Sequence, residues 1–270
     1  MLFYFVELSK KLCIELNAMN SVEKILMAIG VGFMVRVKQL IKKMAFDFLP
    51  SSTVLMIHHI DNGNIIVKSG CRMKIKSFVD ILDSGVSFIS AEEYTKFRLS
   101  WQNPCMITFD DGLKDIYDVA YPELKRRNIP FTVFIVTDFL DKEGYISSKE
   151  LQLLANDPLV TIGSHGTTHK ILRGMSEAEQ RLELLESKHI LEKITGKRIW
   201  MFAYSHGLYD NTTVDILRAE RCYDYAFSAG GGETNLITKK SVYTLPRLNM
   251  EDGLQDYYID SRYPRLKQVL

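Results

Sequence analysis

Two short segments of the chain carry side chains that could do chemistry. Residues 106–112 read Met-Ile-Thr-Phe-Asp-Asp-Gly, so an apolar run ends in two adjacent carboxylates, Asp110 and Asp111. Residues 162–169 read Ile-Gly-Ser-His-Gly-Thr-Thr-His, which places His165 and His169 four apart after a second apolar run. One helical turn would put both imidazoles on the same side. One carboxylate and two imidazoles make a three-ligand set with open positions, the pattern of catalytic rather than structural metals. Side chains at i and i+1 diverge from an extended strand. Asp111 can therefore ligate while Asp110 faces water on the cation. A divalent cation lowers the pKa of such water to about 7, and a neighbouring carboxylate can take its proton. The expected chemistry is metal-assisted hydrolysis. Each part has a plainer reading alone, since Asp-Asp-Gly is often a turn or a helix N-cap and surface histidines are common. Their joint placement, each closing an apolar strand, favours the metal site.

These residues resemble the polysaccharide deacetylases of carbohydrate esterase family 4, the NodB-homology group. Thr108-Phe-Asp-Asp-Gly112 matches the family's first motif at every position, and Ser164-His-Gly-Thr-Thr-His169 matches its second, S-H-[ST]-x-x-H, except at Gly166. The likeness covers roughly residues 52–250. It implies a distorted (β/α) barrel, Asp110 as general base, and Asp111, His165 and His169 as metal ligands. It also implies removal of acetyl groups, usually from N-acetylated sugars.

The segment Thr53-Val-Leu-Met-Ile-His-His-Ile60 resembles an early strand of the biofilm poly-N-acetylglucosamine deacetylases. Those enzymes have a circularly permuted motif order and carry their general-acid histidine on that strand. His58 aligns with it, with Ile57 where Tyr is usual. No histidine follows His206, so the late histidine motif of ordinary members is absent and His58 is the expected acid. Histidine titrates near neutrality, which suits it to protonate a leaving amine. If the segment is one strand, His59 points to the opposite face and is structural.

The third motif departs from the pattern. Phe202-Ala-Tyr-Ser-His-Gly207 is similar to the subgroup's F-A-Y-P-Y-G, with Ser205 for Pro and His206 for Tyr. In the family the backbone N–H of that Tyr position helps form the oxyanion hole, and a backbone donor survives a side-chain change. His206 is thus expected to donate there, its ring being a candidate substrate contact or alternative acid. Tyr204 and Gly207 are expected to bind substrate beside it. Ala203 stands where an Arg would orient the base. Arg247, in Leu245-Pro-Arg-Leu248, resembles a late subgroup motif. It could hold Asp110 by charge-assisted hydrogen bonds; the alternative is an ion pair on the barrel rim.

Repeated strand and helix signals surround these motifs. Strands are expected at 53–58, 86–90, 105–109, 131–136, 159–162, 200–204, 225–228 and 242–245. Helices are expected at 76–83, 91–98, 113–127, 147–156, 176–194 and 211–221. Alternating βα units give a parallel sheet or barrel. The motif residues all fall just after strand C-termini, where barrel active sites collect. His189 reads as solvated among the charges of the long helix. Gly230-Gly231-Gly232 lacks the context of a phosphate loop and reads as a rim loop.

Composition fits an ordinary globular protein: 270 residues, 46% hydrophobic and 25% charged. We expect a catalytic domain over 51–255, an amphipathic helical extension over 1–50 and a tail over 256–270. A net charge of +1 argues against a nucleic-acid partner. Cys13, Cys71, Cys105 and Cys222 are scattered, which disfavours a disulfide framework. Ile25 to Val35 is an apolar run of eleven residues, short of the ~20 that a membrane span needs, and it lacks a signal-peptide cleavage site. The extension is expected to pack on the barrel, to lie on an anionic membrane surface or to form an oligomer contact. The expected location is cytoplasmic or peripheral on the cytoplasmic membrane face.

The expectation is therefore a metal-dependent deacetylase of an N-acetylated saccharide. It would use one divalent cation, zinc by default, with Co2+, Ni2+ and Fe2+ also suited. Two alternatives stand beside it: a saccharide-binding pseudoenzyme, motivated by the altered third motif, and an esterase of O-acetylated glycans.

Overall fold

The computed structural model describes residues 52–63, 71–96, 104–229 and 242–251. The extension over 1–50, the glycine loop at 230–232 and the tail over 256–270 lie outside the described residues. The strands are β1 (Thr53–Ile57), β2 (His59–Asp61), β3 (Arg72–Lys74), β4 (Cys105–Phe109), β5 (Phe131–Ile135), β6 (Val160–Ser164), β7 (Met201–Ala203), β8 (Tyr225–Phe227) and β9 (Leu248–Asn249). The helices are α1 (Ile75–Leu82), α2 (Ala91–Lys96), α3 (Tyr121–Arg126), α4 (Ser148–Asn156), α5 (Glu177–Thr195) and α6 (Asn211–Glu220). A π-helical turn, Ile116–Ala120, leads into α3.

Seven strands form one parallel sheet in the order β8-β7-β6-β5-β4-β1-β9. Every residue of β1, β4 and β5 is buried, as parallel strands covered on both faces require. Alternate residues serve two cores. Leu55, Ile57, Ile107, Phe109, Val133 and Phe202 pack in the larger cluster, together with helix residues such as Phe78, Leu151 and Leu184. Val54, Met106, Phe134, Met201, Ala203, Phe227 and Leu245 form the smaller cluster inside the sheet's curve. The segment 245–250 spans the sheet's two edges. Leu245 N–H donates to Ala226 O at 3.0 Å, and Met250 N–H donates to Met56 O at 2.9 Å. One end of the segment is thus bonded beside β8 and the other beside β1. The result is the distorted (β/α) barrel expected of the chain.

Local chemistry fixes the helices. Ser147 with Glu150 and Ser176 with Glu179 close reciprocal capping boxes at α4 and α5. No helix of the described residues is long and apolar enough to cross a membrane. Cys105 lies in the core.

Several expectations need correction. The 165–169 segment is not a helical turn. Gly166 and His169 take left-handed backbone angles, φ 84° and 64°, so the loop doubles back instead of winding. The strand at 53–58 stops at Ile57, and the chain enters a separate two-stranded sheet, β2 with β3, one residue later. His59 is therefore set by that corner and not by simple alternation. Residues 86–90 and 242–245 supply only isolated bridges, Phe88 to Cys105 and Phe227 to Leu245. Consequently Arg247 precedes a strand, β9, instead of following one.

Gly163 in β6 sits where an added Cβ would lie 2.4 Å from Cδ1 of Phe134 and 3.2 Å from the carbonyl of Met201. Overpacking of this kind typically costs about 1–3 kcal/mol. Gly163→Ala is expected to lower unfolding free energy by that amount in urea titration, and wild-type stability would show that the Phe134 ring gives way freely.

Candidate active site

The site residues lie at the C-terminal ends of the strands. β1 delivers His58, β4 delivers Asp110 and Asp111, β6 delivers His165, and β7 leads to the 204–207 turn. Met106, Thr108 and Asp110 share one side of β4, and this directs Asp110 inward. Its N–H donates to Ile57 O at 3.0 Å, which ties the first motif to the end of β1.

Asp110 is 2% exposed and meets Arg247, which is fully buried. Arg247 donates from Nη1 to Oδ1 and from Nη2 to Oδ2, each at 2.7 Å. Its Nη1 also reaches Thr108 Oγ1 at 3.2 Å, its Nε donates to Ser228 O at 3.1 Å, and its guanidinium lies 5.3 Å from the Phe134 ring centre. Every placement of Arg247 is therefore interior, which excludes the rim ion pair. Burial alone would raise the Asp110 carboxyl, but the Arg247 charge outweighs it and holds it well below the usual carboxylate range.

Asp111 turns the other way because its backbone is left-handed, φ 69°, followed by Gly112 at φ 76°. Its Oδ1 lies 3.2 Å from His169 Nε2 and 3.5 Å from His165 Nε2. Burial pushes the Asp111 carboxyl up; contacts with His169 and His165 pull it below its ordinary value. His165 Nδ1 lies 2.7 Å from Ala203 O. A carbonyl only accepts, so Nδ1 carries the proton and Nε2 presents its lone pair to Asp111. Burial lowers the His165 pKa, consistent with a neutral ring. For His169 burial also acts downward, but the Asp111 carboxylate prevails and raises it.

These groups fit a cation. The ligand atoms of Asp111, His165 and His169 all lie within 4.8 Å of one another. Asp111 Oδ1 is buried without a hydrogen-bond partner, and an orphaned acceptor facing two imidazole nitrogens is the arrangement a metal ion satisfies.

His58 Nε2 lies 4.0 Å from Asp110 Oδ2, on the same carboxylate that Arg247 holds. His59 Nδ1 contacts Asp115 Oδ2 at 2.5 Å. The sequence reading missed Asp115, whose only signal was an acidic residue one turn beyond the first motif. His206 is exposed, takes a left-handed φ of 55°, and places its ring 4.8 Å from that of His169. Tyr204 and Gly207, expected to bind substrate, are both buried. Tyr204 is fully buried, stacks on Tyr209 at 4.5 Å and donates its hydroxyl to Tyr243 O at 2.8 Å. Gly207 is buried, and an added Cβ would lie 2.3 Å from the backbone nitrogen of Ala229. Both residues hold the turn that presents His206.

Residues 101–222 match the family model described as polysaccharide deacetylase. That segment, which holds all three motifs, is similar to the polysaccharide deacetylase domain. A Bacillus subtilis protein named as a polysaccharide deacetylase, YxkH, is 24% identical over 209 residues, spanning 74% of this chain and 72% of its own length. The poly-beta-1,6-N-acetyl-D-glucosamine N-deacetylase of Staphylococcus aureus is 28% identical over 191 residues. That match spans 64% of each protein, so this chain covers just under two thirds of the Staphylococcus relative. Among solved structures, the Streptococcus pyogenes deacetylase PplD superposes with a TM-score of 0.67 at 22% identity, covering 82% of this chain and 98% of that one. That likeness places this chain in the same fold.

Removing Arg247 would leave the Asp110 charge buried and alone. Breaking such a pair costs about 3–5 kcal/mol. In the native protein the Asp110 pKa is depressed, so the pair stabilises the fold above the unfolded carboxylate pKa of about 3.9 and loses this as pH falls. Without the guanidinium, burial raises that carboxyl, and stability is lost as pH rises instead. Arg247→Met in metal-free protein is therefore expected to be most destabilised near neutrality and much less so near about pH 3–4. Equal destabilisation at both, by urea unfolding, would assign the loss to packing alone.

Proposed function

We propose that this protein is a polysaccharide deacetylase, a metal-dependent hydrolase that removes acetyl groups from N-acetylated amino sugars of a poly- or oligosaccharide. The observation that carries the reading is the convergence of Asp111, His165 and His169 beside a separate carboxylate, Asp110, locked in place by Arg247. The Staphylococcus relative is named for poly-beta-1,6-N-acetyl-D-glucosamine, and that polymer is the substrate we propose first. Zinc is the proposed cation, held by Asp111, His165 and His169. Bound there, a divalent cation supplies Lewis acidity to the acetyl carbonyl and brings the pKa of water to about 7.

The residues divide the remaining work. Asp110 stays ionised and accepts the proton of the attacking water. Arg247 occupies one direction of each Asp110 oxygen and so aims the other lone pairs. The oxygen of water joins the acetyl carbon as the carbon–nitrogen bond breaks, giving acetate and an amine that needs a proton. His58, next to the same Asp110 carboxylate, is the proposed donor of that proton. The backbone N–H of His206 is proposed to hold the developing oxyanion.

Acetate release from oligomers of poly-beta-1,6-N-acetyl-D-glucosamine tests this reading. Asp110→Asn is expected to lower kcat by about 10²–10⁴-fold, the usual contribution of general acid–base catalysis. A chelator should silence the wild type and Zn2+ should restore it. Equal acetate from wild type and Asp110→Asn would remove the catalytic assignment. Release from O-acetylated but not N-acetylated glycans would make the protein an esterase.

A further inference from the structure

Helix α5 is charged along its length, yet its inner face buries polar groups. Gln180, Glu183 and Ser187 are 0%, 6% and 0% exposed, beside the fully buried Leu184 and Leu191. The 180, 183, 187 spacing puts them on one helical face. Gln180 serves the cap of α6, bonding Thr213 and Asp210. The other two turn toward the loop that joins His165 to His169.

That loop is three residues long, and each of its backbone N–H groups ends on this face of α5 or one step from it. Thr167 N–H and Thr168 N–H both donate to Glu183 Oε2, at 2.8 and 3.0 Å. Gly166 N–H donates to Ser164 Oγ at 3.2 Å, and that hydroxyl is bonded to Ser187 Oγ at 2.7 Å. The Thr168 hydroxyl donates to Glu183 Oε1 at 2.5 Å. Successive N–H groups in a left-handed turn form a concave nest for an anion. Here the anion is a side chain of the same protein. Gly166, where the resembling family pattern has Ser or Thr, has φ 84°, and an added Cβ would lie 3.1 Å from Glu183 Oε2. The glycine therefore leaves room for the carboxylate to seat.

We propose that Glu183 is a positioning residue for the cation site: by binding the N–H groups between the two histidines, it fixes the turn that aims both imidazoles at Asp111. The inference rests on the metal-site reading given above. Glu183 touches neither cation nor substrate in this scheme. What it supplies to the loop is reach and acceptor geometry, and its charge is felt at His169 only as a minor contribution beside that of Asp111.

Metal affinity of the purified full chain, measured by competition between zinc and a chromophoric chelator, tests this without recourse to turnover. Outer-shell partners of ligating histidines commonly account for about 10–100-fold in metal affinity, and Glu183→Ala is expected to weaken zinc by that factor. It should also alter the visible absorption of the Co2+-loaded protein. Glu183→Gln keeps the reach, because its carbonyl can accept both N–H bonds, and should stay within a few-fold of wild type. Glu183→Asp keeps the charge but is one methylene shorter, and should bind zinc as poorly as Glu183→Ala. Leu184→Ala, on the same helix, should lower the melting temperature while leaving zinc affinity within a few-fold. Wild-type affinity in Glu183→Ala, or Glu183→Asp binding more tightly than Glu183→Gln, overturns the positioning role. Should Glu183→Ala fail to fold, the order of the Asp and Gln variants decides alone. If the wild type holds zinc no more tightly than Asp111→Ala does, the metal-site reading fails and this inference falls with it. Loss of zinc in Asp111→Ala with retention in Glu183→Ala overturns the inference alone.

Discussion

The buried pair of Asp110 and Arg247 is the interaction on which the rest of the site depends. Two unit charges at 2% and 0% exposure are costly to desolvate. They are tolerated because the guanidinium fork matches the carboxylate with two parallel bonds and two of its other donors find Thr108 and Ser228. The same arginine lies against Phe134, a residue of the inner core. Sheet packing, barrel closure and the ionised state of the proposed base are thus one structural problem with one solution. Loss of any part leaves an unpaired charge inside the sheet.

Around that pair, the site collects unusual backbone. Asp111, His169 and His206 all have positive φ although none is glycine. Left-handed geometry is costly for such residues and persists where the surroundings over-determine it. The surroundings here are identifiable. Asp111 follows a strand end pinned to β1, His169 closes a loop whose N–H groups are bound by α5, and His206 rides on a turn buried by Tyr204 and Gly207. Each left-handed residue lies in a turn or loop where its side chain must change direction. This is how carboxylate and imidazoles from separate strands come to face one another.

Much of this was legible in the sequence because it is written locally. The Thr-Phe-Asp-Asp-Gly and Ser-His-Gly-Thr-Thr-His runs are contiguous, and the strands before them are apolar without interruption. Capping boxes at Ser147 and Ser176 announce their helices. The errors have a common cause. The i,i+4 spacing of His165 and His169 suggests a helical turn, but tertiary bonds to α5 override local preference. The third motif suggests Tyr204 as a substrate contact, and nothing local reports its stacking on Tyr209. The two-residue β9 is too short to carry a pattern. Glu183 was invisible for a different reason: among Glu177, Glu179, Glu183, Glu186 and Glu192, only packing says which carboxylate faces inward.

The wide separation of Asp110 and Arg247, 137 positions along the chain, has a consequence for biosynthesis. A nascent polypeptide emerging from the ribosome displays its two motifs long before the guanidinium that steadies the first of them exists. Until the segment carrying Arg247 bridges the open edges of the sheet, the carboxylate has no counter-charge and the cylinder has no seam. The proposed base is therefore without its counter-charge in every incomplete translation product that stops short of that seam.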